Sequence, residues 1–141
     1  MVTLLNGVTS GFVATIAMTM FMMALGDDSP PPTAALWAKF IGDHGPESYM
    51  PQGMALHMLY GTGAGGAFGV LTGVVGLGVA SLTGALLWAV AYAVVLTLVG
   101  MIFWMRVVLA MEPQPGMVAR FGFFHLVYGL VLGAGVTYIP L

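Results

Sequence analysis

The sequence predicts an all-α integral membrane protein, a four-transmembrane-helix bundle built from two tandem two-helix repeats. Only 6% of the 141 residues are charged, 60% are hydrophobic, and the mean hydropathy is +1.01. Soluble domains carry about 25% charged residues, so this chain has too few to cover a water-facing surface. Its length accommodates four spans of about 20 residues with their connections. We therefore expect a single transmembrane domain over residues 1–141.

The composition also excludes several classes of function. The chain has no cysteine, which excludes disulfides, thiolate metal sites and iron–sulfur clusters. Three basic residues cannot form a phosphate-binding surface, so no nucleic-acid partner is expected. The N-terminus lacks a positively charged leader pattern and is interpreted as the start of a retained span.

The first span is predicted over residues 3–25. Gly7 and Gly11 are four residues apart, and Thr15 and Thr19 continue the same row. Small residues at this spacing let helix backbones approach closely within lipid. The span ends before the three prolines at 30–32, which cannot continue a helix.

A short helix is predicted near residues 33–41, in the only long loop. Leu36, Trp37, Phe40 and Ile41 fall on one side of it, with Lys39 off that side. Because tryptophan favours the membrane interface, we expect this helix to be interfacial.

The remaining spans are predicted at 53–75, 81–105 and 118–139. The connection around residues 76–78 is short and uncharged, and a proline-containing turn at 112–116 separates the last two spans. Two spans in each repeat would give both repeats the same orientation. The second and fourth spans are therefore predicted to be parallel.

An H-x-x-Y-G-x-x-x-G motif occurs in each of those parallel spans, over residues 57–65 and 125–133. Residues four apart lie on nearly the same helix face, so each histidine begins a row of small residues. We expect His57 and His125 to lie at similar depths. The residues predicted to mediate helix packing are Gly7, Gly11, Gly61, Gly65, Gly69, Gly73, Gly129 and Gly133.

His57 and His125 are the main candidates for chemistry, because a polar side chain within a span normally faces a partner or a cavity. The functional alternatives are axial ligation of a haem, contact with a quinone, or proton relay. The structural alternative is an interhelical hydrogen bond. Tyr60 and Tyr128 are predicted either to bond the histidine of the other repeat or, preferentially, to anchor near the headgroups.

Two further clusters carry weaker hypotheses. Met50, Met54 and Met58 are spaced by four beside His57, and thioethers favour copper(I); methionine is also a common apolar filler. The acidic residues and the histidine of the loops could form a cation-binding or proton-entry cluster, but charged loop side chains are more often simply solvated. Those loop residues are Asp27, Asp28, Asp43, His44, Glu47 and Glu112.

The charges also predict an orientation. All lysines and arginines belong to the loops after the first and third spans, near 26–52 and 107–117. The positive-inside rule then places these loops in the cytoplasm and both termini outside. We expect a multi-pass protein of the cytoplasmic (plasma) membrane.

The chain resembles the YagU-like group of small, uncharacterised four-span membrane proteins. The resemblance rests on residues 11–19, on the proline stop that follows, on 57–61 and on 124–133. It implies a four-span bundle in the cytoplasmic membrane and supplies no reaction, cofactor or substrate.

Three function hypotheses follow. The first is a non-enzymatic packing module, as a homo-oligomer or as an accessory subunit of a larger membrane complex. The second is a small proton or ion transporter or channel that uses His57 and His125. The third is a redox membrane protein that binds haem b or a quinone at the same histidines.

Overall fold

The computed structural model describes residues 2–25 and 29–139, and within them every regular element is helical. Four segments are long and apolar enough to cross a membrane, which confirms the predicted four-span helical fold. The helices are α1 (Leu4–Ala24), α2 (Pro32–Phe40), α3 (Met50–Val75), α4 (Leu82–Gly100) and α5 (Pro115–Tyr138).

Two irregular helical segments extend the spans beyond their predicted limits. A 3-10 turn at Pro46–Tyr49 leads directly into α3, so that span begins before residue 53. A π-helical segment at Met101–Val108 continues α4 past the predicted end at 105. Helix α5 begins at Pro115 instead of 118, because proline is well tolerated in the first turn of a helix.

The helix ends follow from local side-chain chemistry. Thr3 caps α1 by accepting a 3.0 Å hydrogen bond from the Asn6 amide, and Ser81 caps α4 through the Gly84 amide at 3.1 Å. Helix α3 ends at Gly76, whose φ of +68° lies in the left-handed region that glycine adopts without a Cβ penalty.

The spans pack in the spatial order α3, α1, α5, α4. Neighbouring spans in this order are antiparallel, so α3 is parallel to α5, as their connectivity predicts. Between α3 and α4 the backbones stand apart, and side chains bridge the gap. The Tyr92 hydroxyl donates a 2.9 Å hydrogen bond to the Ala64 carbonyl, and its ring packs 5.3 Å from the Phe68 ring.

Small residues allow the close contacts within each helix pair. A Cβ added at Gly65 would lie 2.5 Å from the Gly11 Cα and would also overlap the Gly7 carbonyl. Between α5 and α4, a Cβ at Gly129 would lie 2.7 Å from the Ala93 Cβ. These separations are far below van der Waals contact, so the helices approach closely only because these residues lack side chains.

The other predicted packing residues fall into two groups. Gly61, Gly69 and Gly133 lie in the same interhelical contacts as their neighbours in each row. Gly73 does not: no atom lies within 4 Å of a Cβ built there, so this glycine lies outside the contact that the four-residue spacing predicted. The row ends before it because α3 extends past the start of α1.

Helix α2 folds back against one end of the bundle. The Thr33 hydroxyl donates a 2.6 Å hydrogen bond to the Gly53 carbonyl of α3. The Lys39 ammonium donates to the carbonyl oxygens of Val107 and Val108 at 2.8 and 3.2 Å. Every charged side chain that the structure describes belongs to this end, which we call the charged end: Lys39, Asp43, Glu47, Arg106, Glu112 and Arg120. Asp27 and Asp28 lie outside the described residues.

Candidate functional site

A cavity of about 330 Å³ lies inside the charged end of the bundle. Its walls come from the second half of α1, the segment leading into α2, the start of α3, the π-helical segment and the start of α5. We call it the histidine cavity. Its lining residues are Met18, Met22, Ser29, Pro30, Pro31, Pro32, Thr33, His57, Tyr60, Trp104, Met105, Leu109, Met111, Met117, Arg120, Phe121, Phe124 and His125.

The two intramembrane histidines lie in the wall of this one cavity, on the parallel helices α3 and α5. Gly61, one turn after His57, accepts a hydrogen bond from Tyr128, which lies three residues after His125. This bond aligns the two H-x-x-Y-G copies and sets both imidazoles at the same level. The two copies of the motif therefore place two imidazole side chains in the wall of one cavity.

The His125 ring is fixed by its own helix. Its Nδ1 lies 2.9 Å from the Phe121 carbonyl oxygen, and its ring packs on the Phe121 ring with centroids 4.3 Å apart. A carbonyl only accepts hydrogen bonds, so the bond assigns the hydrogen to Nδ1. In the neutral ring, Nε2 therefore carries a free lone pair. His125 is 7% exposed, which keeps it largely from water.

His57 differs from His125 in its hydrogen bonding. Its Nε2 is buried and has no hydrogen-bond partner within residues 2–25 and 29–139. A buried polar atom without a partner costs on the order of 1–3 kcal/mol, and such atoms are rare in native structures.

The tyrosines of the two motifs have different positions, and neither bonds a histidine in the described contacts. Tyr128 is 2% exposed and donates its hydrogen bond to Gly61, so the preferred prediction that it anchors near the headgroups is wrong. Tyr60 is 39% exposed and packs edge-on against Trp104, with ring centroids 5.8 Å apart.

The methionines around the cavity are not those that the sequence singled out. Met50, Met54 and Met58 are absent from the cavity lining, although His57 belongs to it. Met18, Met22, Met105, Met111 and Met117 line it instead, from three separate segments. Their side chains give the cavity a soft, polarizable and apolar wall.

The charged residues contribute little to the cavity. Arg120 is the single charged residue among the lining side chains that the structure describes, and it is exposed at the edge of the cavity. Asp43 and His44 bond each other and Tyr49 in the loop between α2 and α3. Among the described residues, no three or more His, Asp or Glu side chains come together as a metal site.

Sequence reasoning found the two histidines but missed most of the cavity wall. Trp104, Phe121, Phe124 and Met18 have no special spacing, and their composition matches that of lipid-facing residues. A signal for Phe121 was present, since it lies four residues before His125 and its carbonyl therefore reaches the ring.

These features define a four-span helical membrane protein with a histidine-lined cavity at its charged end. Comparison with protein-family models, with curated proteins and with solved structures finds no match for the chain. The resemblance to the YagU-like group rests on short motifs alone and stays a prediction.

Proposed function

We propose that the protein binds the head group of a membrane quinone, most tightly in the reduced, hydroxyl-bearing form. One observation carries this proposal: two imidazoles from the parallel helices α3 and α5, those of His57 and His125, line one cavity. The proposal concerns binding and includes no electron transfer.

The size and polarity of the cavity support a ring-shaped organic ligand. Pockets for small molecules have volumes of about 300–1,000 Å³ and combine apolar walls with a few polar groups. A volume of about 330 Å³ lies in this range and is larger than a bare metal ion or proton relay requires. Aromatic and thioether side chains suit the faces of a flat ring.

The hydrogen-bonding capacity of the two histidines supports the reduced form. The free lone pair on His125 Nε2 accepts a hydrogen bond, which a quinol hydroxyl donates and a quinone carbonyl does not. The neutral His57 ring carries a hydrogen on one of its two nitrogens and can donate it to a hydroxyl or carbonyl oxygen. A quinol can therefore bond both rings, whereas a quinone carbonyl can bond only the ring that donates.

The packing-module hypothesis has less support from these contacts. Except for Gly73, the glycines that suggested association between chains meet another helix of the same chain, and Gly65 and Gly129 are examples. These glycines stabilise the fold of a single chain, and so they no longer argue for a homo-oligomer or an accessory subunit.

Haem b is the second candidate, because the His125 ring has the geometry of a metal ligand. Histidines that bind metals usually donate Nδ1–H to a carbonyl and present Nε2, as His125 does through Phe121. Arg120 at the cavity edge would pair with a propionate. Purified protein supplemented with haem and then freed of unbound haem should retain a Soret band, and its absence removes this candidate.

The quinol proposal is tested by fluorescence quenching in nanodiscs. Trp37 and Trp88 are replaced by Phe, which leaves Trp104 in the cavity wall as the reporter. Titration with a tailless benzoquinol, and then with the matching benzoquinone, is expected to give saturable quenching with tighter binding of the quinol. His57→Ala and His125→Ala each lower the affinity about tenfold, the equivalent of one hydrogen bond of about 1.4 kcal/mol.

The exposed loop histidine supplies the control. His44→Ala leaves the quinol affinity unchanged, since His44 lies outside the cavity. Unsaturable quenching, or equal affinities in the parent and both cavity variants, would contradict the proposal. A pH-dependent proton flux in vesicles that both histidine variants abolish, without quinol binding, would favour the transport hypothesis instead.

The membrane orientation is part of the proposal. Lys39, Arg106 and Arg120 at the charged end support a cytoplasmic position for that end in the plasma membrane. Because the chain has no cysteine, Ser48→Cys in the exposed loop provides a unique site. Labelling of this thiol only after the membrane is permeabilised supports the orientation, and labelling of intact cells contradicts it.

A further inference from the structure

We infer that the ligand of the histidine cavity carries a long hydrocarbon tail, and that this tail lies in the groove between α3 and α4. The inference rests on the proposed function and extends it from the head group to the whole ligand. It predicts where the isoprenoid tail of the proposed quinol lies.

The groove exists because α3 and α4, the two ends of the spatial order of the bundle, do not pack closely on each other. It has a volume of about 500 Å³ and is lined by apolar and small side chains, among them Leu59, Gly63, Ala67 and Leu96. Between its lining residues Leu56 and Ala67 it follows α3 for about 16 Å, at 1.5 Å per residue. This shape suits a single extended hydrocarbon chain.

The groove shares part of its wall with the histidine cavity, and this shared wall supports a quinol tail as its occupant. Thr33, Tyr60 and Trp104 line both spaces. The edge-on pair of Tyr60 and Trp104 rings, 5.8 Å apart, therefore stands where the cavity meets the groove. A ligand with its ring at His57 and His125 would pass its tail by this pair and along α3.

The wall of the groove allows the tail to be blocked without disturbing the fold. No atom lies within 4 Å of a Cβ built at Gly63, so a larger side chain there enters open groove. Gly73 lies on the same helix, has the same open surroundings and lies outside the groove. Gly63→Leu and Gly73→Leu therefore form a matched pair.

The test compares a tailless benzoquinol with the same ring bearing a short isoprenoid tail, both titrated in nanodiscs and expressed as mole fraction in the bilayer. In the parent protein the tailed quinol binds at least tenfold more tightly. Gly63→Leu removes most of this advantage and leaves the affinity for the tailless quinol unchanged, while Gly73→Leu alters neither affinity.

The outcomes separate the two proposals. If neither quinol binds, the proposed function fails. If both bind equally in the parent, or if Gly63→Leu leaves the advantage intact, the head-group site stands and the tail inference is wrong. Equal binding of the two quinols in the parent would mean that ordinary phospholipid chains fill the groove.

Discussion

The Tyr128 hydroxyl donates a 2.7 Å hydrogen bond to the Gly61 carbonyl oxygen, and so joins the tyrosine of one H-x-x-Y-G copy to the glycine of the other. Helices α3 and α5 are not direct neighbours in the spatial order of the bundle, so a long side chain has to span the distance between them. The bond lies about one helical turn from both histidines along their helices. It fixes the relative height of the two imidazoles.

Removal of this bond is expected to loosen the bundle modestly. Tyr128→Phe should lower the free energy of unfolding by about 0.6 kcal/mol, and by at most about 1.7 kcal/mol, the range measured for interhelical hydrogen bonds in membranes. The measurement is unfolding by SDS titration in mixed micelles. Tyr138→Phe is the control, since Tyr138 is 68% exposed. Equal effects of the two changes would show that the bond contributes nothing specific.

The contact between α1 and α3 should be intolerant of any side chain at its centre. Gly65→Ala places a methyl group against the Gly7 and Gly11 backbones, and overpacking of this kind costs about 1–3 kcal/mol. Gly73→Ala meets nothing and gains up to about 1 kcal/mol from helix propensity. Unfolding by SDS titration compares the two. A Gly65→Ala variant as stable as Gly73→Ala would contradict the observed packing.

The loop between α2 and α3 should respond to acid. The Tyr49 hydroxyl, bonded at 2.8 Å, and then His44 lower the pKa of the Asp43 carboxyl below its ordinary value of 3.8. Because the pKa is lower in the folded protein, the ionised carboxylate stabilises the loop at pH values above its ordinary pKa. This stabilisation is lost as the pH falls through the lower pKa of the folded state.

Nuclear magnetic resonance of the Tyr49 ring checks this prediction. Its chemical shift should change as the pH falls below 3.8 and Asp43 gains its proton. Asp43→Asn should abolish the acid transition. A transition that persists in this variant would have to be assigned to another group.

Lys39 should hold α2 against the end of the third span. Its ammonium bonds the carbonyl oxygens of Val107 and Val108 in the last turn of the π-helical segment, where carbonyls lack partners from their own helix. Lys39→Met removes these bonds, which together contribute about 0.5–1.5 kcal/mol at this exposed position. Amide hydrogen exchange in α2 should then be about two- to tenfold faster. Lys39→Arg keeps a donor and is expected to exchange like the parent; unchanged exchange in Lys39→Met would contradict the role of Lys39.

Much of the fold could be predicted from the sequence, since hydropathy and proline positions are local properties. They placed four spans and the short helix at Pro32–Phe40 within a few residues of the observed limits. The repeated motif also put His57 and His125 on parallel helices, because four spans alternate in direction. The third span ends later than predicted. The carbonyl oxygens of its last turn are bonded by Lys39, which comes from a distant part of the chain.

Only the tertiary structure decided which faces of the spans meet. In lipid, apolar residues suit both the interior and the exterior, so composition does not reveal helix rotation. Phe124 is buried and its neighbour Phe123 is 43% exposed, although the two are chemically identical. For the same reason the sequence placed Gly73 in the packing row and Tyr128 at the headgroups.

The sequence by itself determined the number of spans, the charged end and the two histidines, because each follows from spacing along one chain. The tertiary structure decided that His57 and His125 share a cavity and that a groove leaves it past Tyr60 and Trp104. Both features are spaces between helices, and their existence depends on where glycine pairs let backbones meet and where aromatic side chains hold them apart.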